Sequence, residues 1–189
     1  MNFIEEKILN EGKILPGGVL KVDNFLNHKI DTDFLSKCGE EWYELFKNEG
    51  VTKILTIESS GIAVACLAAA KFGVPVVFAK KTSASGASND FYKSKVVSFT
   101  HGHEYGVVVG KQHVCPEDKI LILDDLIANG SAMKALITIC ENAGATVVGC
   151  GAVIEKLYKN GGSDIRMLGY RVESLAKISS MTDDTINFC

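Results

Sequence analysis

This chain reads as an α/β fold, a parallel sheet flanked by helices with a small N-terminal hood. Three features of its 189 residues argue for that. From residue 51 onward, short apolar runs alternate with helix-length segments. Such alternation makes parallel strands, because each crossover needs a helix and both sheet faces become covered. The run ILIL is apolar without interruption, as a strand buried on both faces must be. Hydrophobic residues make up 47% of the chain, enough to fill one sizeable core.

Taken in order, residues 2–12 and 32–49 read as helices. The second opens at an Asp/Thr cap and stops at Gly50. ILPGGVLKVDNFLNHKI between them reads as irregular, with Pro16, Gly17 and Gly18 as breakers. TKILTIE is a strand, SSGIAVACLAAAKFG a helix closed by Gly73, and VPVVFAKK the next strand. The small, polar stretch over 82–95 reads as a loop. KVVSFT and YGVVVG suggest a hairpin around HGHE. KILILDD is a strand, NGSAMKALITICENAG a helix ending at Gly144, and ATVVGCGAVIEKL a long strand. In the mixed tail, YRVESLAKI suggests one more strand. The expected organisation is a single domain over 1–189. Its core spans about 51–155, and its hood comes from about 1–50 with contributions from 156–189.

A net charge of −3, with no basic run, argues against a nucleic-acid-binding face. The apolar stretches are too short to span a membrane. The acidic N-terminus lacks the pattern of a signal peptide, so a cytoplasmic location is expected. The six cysteines form no C-x-x-C pair, and Cys66, Cys140 and Cys150 lie in apolar surroundings, so they read as small buried hydrophobes. His101 and His103 read as part of a polar loop, since no second cluster at ligand spacing supports a metal site.

The chemistry gathers at strand–helix junctions. Tight loops there point backbone N–H groups at the positive end of a helix dipole, and anions bind. One such loop is Glu58-Ser59-Ser60-Gly61; the other is Ala128-Asn129-Gly130-Ser131-Ala132. Neither is a P-loop or a dinucleotide fingerprint. Just ahead of the second stand two adjacent acids, Asp124 and Asp125. Side by side at the end of a buried strand they repel, so something rich in hydroxyl donors or positive charge should face them. Carboxylates accept hydrogen bonds from sugar hydroxyls and hold hydrated Mg²⁺. A diol clamp between two phosphate cradles suits a ribose carrying phosphates at both ends.

The run ILILDDLIANGSA resembles the 5-phosphoribosyl-1-pyrophosphate (PRPP) motif of the type I phosphoribosyltransferases. It departs at Asn129 and Ala132, where two hydroxyls are lost and the Asn129 amide replaces one donor. That variant, with LPGGVLKVDNFLNH at 15–28, ESSGI at 58–62 and Glu155-Lys156, is similar to the bacterial xanthine phosphoribosyltransferases within the family. The resemblance covers nearly the whole chain. It implies a type I phosphoribosyltransferase-like sheet, a homodimer, and transfer of phosphoribose from PRPP to a purine nitrogen, with Mg²⁺ as cofactor and no covalent intermediate.

On that footing the 5-phosphate falls to residues 128–132, the ribose to Asp124 and Asp125, and pyrophosphate to Ser59, Ser60 and Gly61. Magnesium has no strong protein ligand, only Asp124 or Asp125 through water. Loop 82–95 becomes a lid, with Lys80 and Lys81 at its base to meet pyrophosphate; Tyr92 and Lys93 are further candidates. Lys156 carries only donors, so it selects a 6-oxo purine. Asn27 serves the 2-position edge of xanthine, and Leu20 packs on the ring. Two other readings stay open: the same reaction on guanine, hypoxanthine, adenine or orotate, and a non-catalytic sensor of PRPP. The short acidic segment ahead of the first core strand weighs against the sensor.

Overall fold

The computed structural model of the chain describes residues 1–82, 89–97 and 104–189. Helix α1 (Phe3–Glu11) opens with a reciprocal cap: the Asn2 side chain accepts from the N–H groups of Ile4 and Glu5, and the Glu5 carboxylate accepts from the Asn2 N–H. Helix α2 (Thr32–Phe46) is capped by Asp31, which accepts from the Phe34 N–H at 3.0 Å. Asp31 also pairs with Lys7 at 2.7 Å, joining the two helices.

Between them the segment expected to be irregular is ordered. Strands β1 (Lys13–Leu15) and β2 (Val19–Lys21) pair antiparallel. Gly17 and Gly18 turn the chain with φ of 85° and 71°, which glycine takes without steric cost. A wide helical turn over Asp23–Asn27 follows, anchored by buried Phe25 and Leu26. Three-residue strands carry too little periodicity to be read from sequence.

The main sheet contains β3 (Lys53–Ile57), β4 (Val76–Thr82), β5 (Phe91–Val97), β6 (Glu104–Gly110), β7 (Lys119–Ile127), β8 (Thr146–Lys156), β9 (Val172–Met181) and β10 (Ile186–Phe188). Their order is β10-β9-β8-β7-β3-β4-β6-β5. The strands from β9 to β4 are parallel; β10, β6 and β5 add antiparallel edges, so the parallel sheet expected from sequence is a mixed one at its margins. Helices α3 (Ser60–Phe72), α4 (Ser131–Ala143) and the short α5 (Gly161–Met167) complete the fold.

Neighbouring strand residues serve opposite faces. Ile54 and Leu121 join the core beneath α2 and α3, while Leu55 and Ile122 join the one beneath α4. That is why the run ILIL of β7 is apolar at each position.

Three expectations need correction. The loop expected over 82–95 gives way to β5 at Phe91, so Tyr92 and Lys93 lie on a strand. Its alternation is polar because it is an edge, with Lys93 and Lys95 exposed. The Tyr92 ring packs toward the core and lies 5.7 Å from the Lys111 ammonium. The tail holds α5 and β10 besides the expected strand. Cys66 is exposed, unlike buried Cys38, Cys140 and Cys150. The central part of the lid, and His101 and His103, lie outside the described residues.

Candidate active site

Four adjacent parallel strands, in the order β8-β7-β3-β4, deliver the candidate residues at their carboxyl ends. β8 ends at Lys156, β7 carries Asp124 and Asp125, β3 runs into Ser59-Ser60-Gly61, and β4 carries Lys81. Open α/β sheets bind ligands along this edge. The two loops picked out for anion binding thus lie on neighbouring strands, a proximity no sequence spacing shows.

Asp124 is buried, and its Oδ1 accepts from the Asp125 N–H at 2.9 Å. Burial, and then the neighbouring Asp125 charge, raise the Asp124 carboxyl well above the usual carboxylate range; the Lys81 charge opposes them. Asp125 is half-buried.

Gly61 sits in the first turn of α3, against β3 and β7. A Cβ there would lie 2.1 Å from Thr56 Oγ1 and 2.9 Å from Asp124 Oδ1. Thr56 itself is fully buried. Gly61→Ala is therefore expected to overpack the junction, at a cost of about 1–3 kcal/mol. The check is a thermal melt, where a midpoint equal to that of the parent protein would show that the loops have slack.

Ser59 is exposed and Ser60 half-buried, so both remain open to a ligand. The peptide bond between Glu58 and Ser59 is cis. The Glu58 carboxylate accepts from the Lys81 backbone N–H at 2.6 Å, which ties this loop to β4. The Lys81 ammonium lies 5.6 Å from the centre of the Tyr105 ring. Burial pushes the Tyr105 phenol up, and the Asp124 charge adds to that. Thr56 and Tyr105 escaped the sequence reading, since each sits in a run whose pattern spoke only of strand.

On the other side of the acids, Gly130 takes φ of 71° and precedes α4, which starts at Ser131. Asn129, Ser131 and Ala132 are half-buried around it. Ala128 accepts from the Gly161 N–H at 3.0 Å, so the loop rests on the start of α5.

The hood meets the sheet at the end of β8. Lys156 donates to the Gly18 carbonyl at 3.3 Å. Asp183 Oδ1 accepts from the N–H groups of Gly17 and Gly18 at 3.1 and 3.4 Å. The turn of the β1–β2 hairpin is thus held from both sides by the C-terminal part of the chain. Burial, and then the charge of Lys159, lower the Lys156 pKa. Leu20 is 8% exposed and packs into the hood's core, so only an edge of it is open. Asn27 is exposed at the end of its helical turn.

Among the described residues, no group of three or more His, Cys, Asp or Glu side chains could cage a metal. Two carboxylates at one strand end suit instead a cation that keeps its water and is held mainly by substrate phosphates, as Mg²⁺ is.

Residues 26–179 match the family model of the phosphoribosyl transferase domain. The chain belongs to that family. Within it, the chain is 46% identical over 188 residues to the xanthine phosphoribosyltransferase of Finegoldia magna, covering 100% of this chain and 99% of the relative. It is 47% identical over 188 residues to the xanthine phosphoribosyltransferase of Bacillus cytotoxicus, covering 100% and 95%. Among solved phosphoribosyltransferases, the Giardia lamblia enzyme complexed with 9-deazaadenine superposes with a TM-score of 0.79 at 22% identity, covering 95% of this chain and 100% of that one. The adenine phosphoribosyltransferase of Trypanosoma brucei, in complex with AMP, pyrophosphate and ribose-5-phosphate, gives 0.74 at 19% identity, covering 93% and 80%. At such identities the two structures speak for the fold.

Proposed function

We propose that this phosphoribosyltransferase serves purine salvage, transferring the 5-phosphoribosyl group of PRPP to xanthine to give xanthosine 5′-monophosphate and pyrophosphate. The carrying observation is the line of four strand ends, with an anion loop on each side of an acid pair. Full-length identity to xanthine phosphoribosyltransferases supports the choice of base.

The backbone of Ala128, Asn129, Gly130, Ser131 and Ala132 receives the 5-phosphate at the start of α4. Asp124 and Asp125 accept the ribose hydroxyls, which orients the anomeric carbon. Ser59, Ser60 and Gly61 hold the pyrophosphate with Lys81, whose ammonium is exposed nearby. Asp124 or Asp125 would hold a Mg²⁺ ion through water, and such an ion, when bound, would supply charge neutralisation for the leaving pyrophosphate. The sugar gains oxocarbenium character as pyrophosphate departs, and a purine nitrogen held on the opposite face captures it. Positioning and charge placement do the catalysis; no side chain needs to form a bond.

For the base, Lys156 donates to the 6-oxygen. Its ammonium has three donors, so it keeps the Gly18 carbonyl while reading the substrate. Asn27 meets the 2-position and Leu20 closes one edge. We further propose that residues 1–189 act as one unit in the cytoplasm, as a homodimer; no helix among the described residues is long and apolar enough to cross a membrane. Exposed Phe78 and Phe91, on β4 and β5, offer an apolar face for the second copy.

The test is the initial rate with PRPP, Mg²⁺ and, separately, xanthine, guanine, hypoxanthine, adenine and orotate. Xanthine is expected to give the highest kcat/KM and adenine to give next to none. Turnover led by guanine or hypoxanthine would move the assignment to those bases, and no turnover with any would leave a sensor of PRPP.

A further inference from the structure

Glu155 immediately precedes Lys156 at the end of β8, and successive strand residues face opposite sides. As Lys156 turns toward the hood, Glu155 points the other way, into a site where it is 1% exposed. There its two carboxylate oxygens accept from Arg166 Nη1 at 2.8 Å and Nη2 at 2.9 Å. Ser174 Oγ donates to the same group at 2.6 Å, and Arg166 also donates to the Val172 carbonyl at 3.0 Å. Burial alone would push the Glu155 carboxyl up, but Arg166 and Ser174 outweigh it and hold the group below its usual range.

Arg166 lies on α5, and the first turn of α5 is packed between Glu155 and the 5-phosphate loop. A Cβ on Gly162 would fall 1.9 Å from Glu155 Oε1. A Cβ on Gly161 would fall 2.3 Å from the Ala128 carbonyl oxygen and 2.4 Å from the Gly130 nitrogen. The Gly161 N–H donates to that same Ala128 carbonyl at 3.0 Å. The loop's back therefore rests on backbone that the bidentate pair holds in place. On the outer side, Lys134 of α4 pairs with Asp164 of α5 at 2.8 Å, a second and more exposed tie.

We infer that Arg166 and Glu155 are positioning residues, clamping α5 against residues 128–130 so that the loop's N–H groups are preset for the 5-phosphate of PRPP. This rests on the phosphoribosyl-transfer reading above. A buried pair costs hydration and is a poor source of stability by itself, but losing one partner strands the other charge. The pair thus suits a site where geometry matters more than stability. Arg166 touches neither substrate; it acts through Gly161 and Gly162.

Arg166→Lys keeps the charge but loses the fork that fills both carboxylate oxygens. It is expected to raise KM for PRPP roughly ten- to a hundredfold, the scale of a small misplacement of a binding group. KM for xanthine and the order of preference among bases should change little. The affinity for ribose 5-phosphate, measured calorimetrically without base or pyrophosphate, should fall in step with KM for PRPP. Ser174→Ala leaves the ion pair and the fold in place; it should shift both quantities the same way by about two- to tenfold, the worth of one hydrogen bond. Folded variants with unchanged ribose 5-phosphate affinity and unchanged KM for PRPP would overturn the inference, as would equal losses for both substrates that track a lower Tm. A parent protein that binds ribose 5-phosphate but forms no nucleotide would instead overturn the reading beneath it.

Discussion

Replacing Asp124 and Asp125 together with Asn is expected to cut kcat/KM by about 30- to 1000-fold, or 2–4 kcal/mol, the range for removing a preorganised electrostatic partner. Asn keeps the volume and one acceptor at each position, so the Asp125 N–H that Asp124 Oδ1 accepts at 2.9 Å can still be served. What disappears is the pair of carboxyl groups that the proposed function assigns to the ribose. The fold should tolerate the change. A carboxyl whose folded pKa lies above its unfolded one contributes stability that is present below the ordinary carboxylate range. That stability is lost as pH rises through the raised value. Asp124 is such a group, raised first by burial and then by the Asp125 charge. At neutral pH the parent protein therefore carries a penalty that the double variant lacks. Its ligand-free Tm should equal or exceed the parent's at neutral pH, with the difference shrinking in acid. Two measurements decide: kcat/KM for PRPP at saturating Mg²⁺ and xanthine, and thermal melts across pH. Normal turnover would remove the acids from the ribose, and a large loss of Tm would make them structural.

Much of this arrangement was legible in the residue pattern. The uninterrupted ILIL before Asp124 and Asp125 marks a strand buried on both faces, and the Gly130 loop before an apolar helix marks an anion site. Of the second signal, the structure bears out the turn at Gly130 and the start of α4, while anion binding there stays a proposal. Strand and turn are local signals: a few adjacent residues decide them. What stayed hidden depends on which strands lie side by side. Nothing in the spacing of Gly61 and Asp124 says that a Cβ on the first would nearly touch the carboxylate of the second. The β1–β2 hairpin was missed because its strands are three residues long and its order comes from remote groups, Lys156 and Asp183. β5 looked like a loop because its exposed positions carry Lys93 and Lys95, the polar dressing of an edge. The short α5, opening on two glycines, has almost no helical signature. Its place follows from Gly161 and Gly162, where any side chain would collide with residues 128–130 or with Glu155.

The choice of base carries the other large effect. A site built to hydrogen-bond a polar group rejects an analogue that lacks it by up to roughly 10⁴ or more, because its own buried group is left unpaired. Lys156 meets that condition: burial and the nearby Lys159 both disfavour its charge, and it donates to the Gly18 carbonyl. A 6-oxo purine adds an acceptor there; a 6-amino purine adds a donor that faces another donor. Lys156→Ala should therefore depress kcat/KM for xanthine, guanine and hypoxanthine alike, by about 10²–10⁴. It should also loosen the hood, since the hairpin turn would keep only its bonds to Asp183. Asn27→Ala is a separate case. Its side chain is exposed and anchors nothing in the core, so PRPP binding and Tm should hold. Xanthine differs from hypoxanthine only at the 2-position, where a carbonyl and its neighbouring N–H replace C–H. If Asn27 reads that edge, the variant loses most of the preference for xanthine over hypoxanthine while the shared response to Lys156 persists. The measurement is kcat/KM for the three bases in both variants. An Asn27→Ala enzyme that keeps its full preference would shift the 2-position contact to backbone of the hood or to the segment after Lys156. Equal activity of Lys156→Ala on 6-oxo and 6-amino purines at the parent's rate would remove Lys156 from the base site.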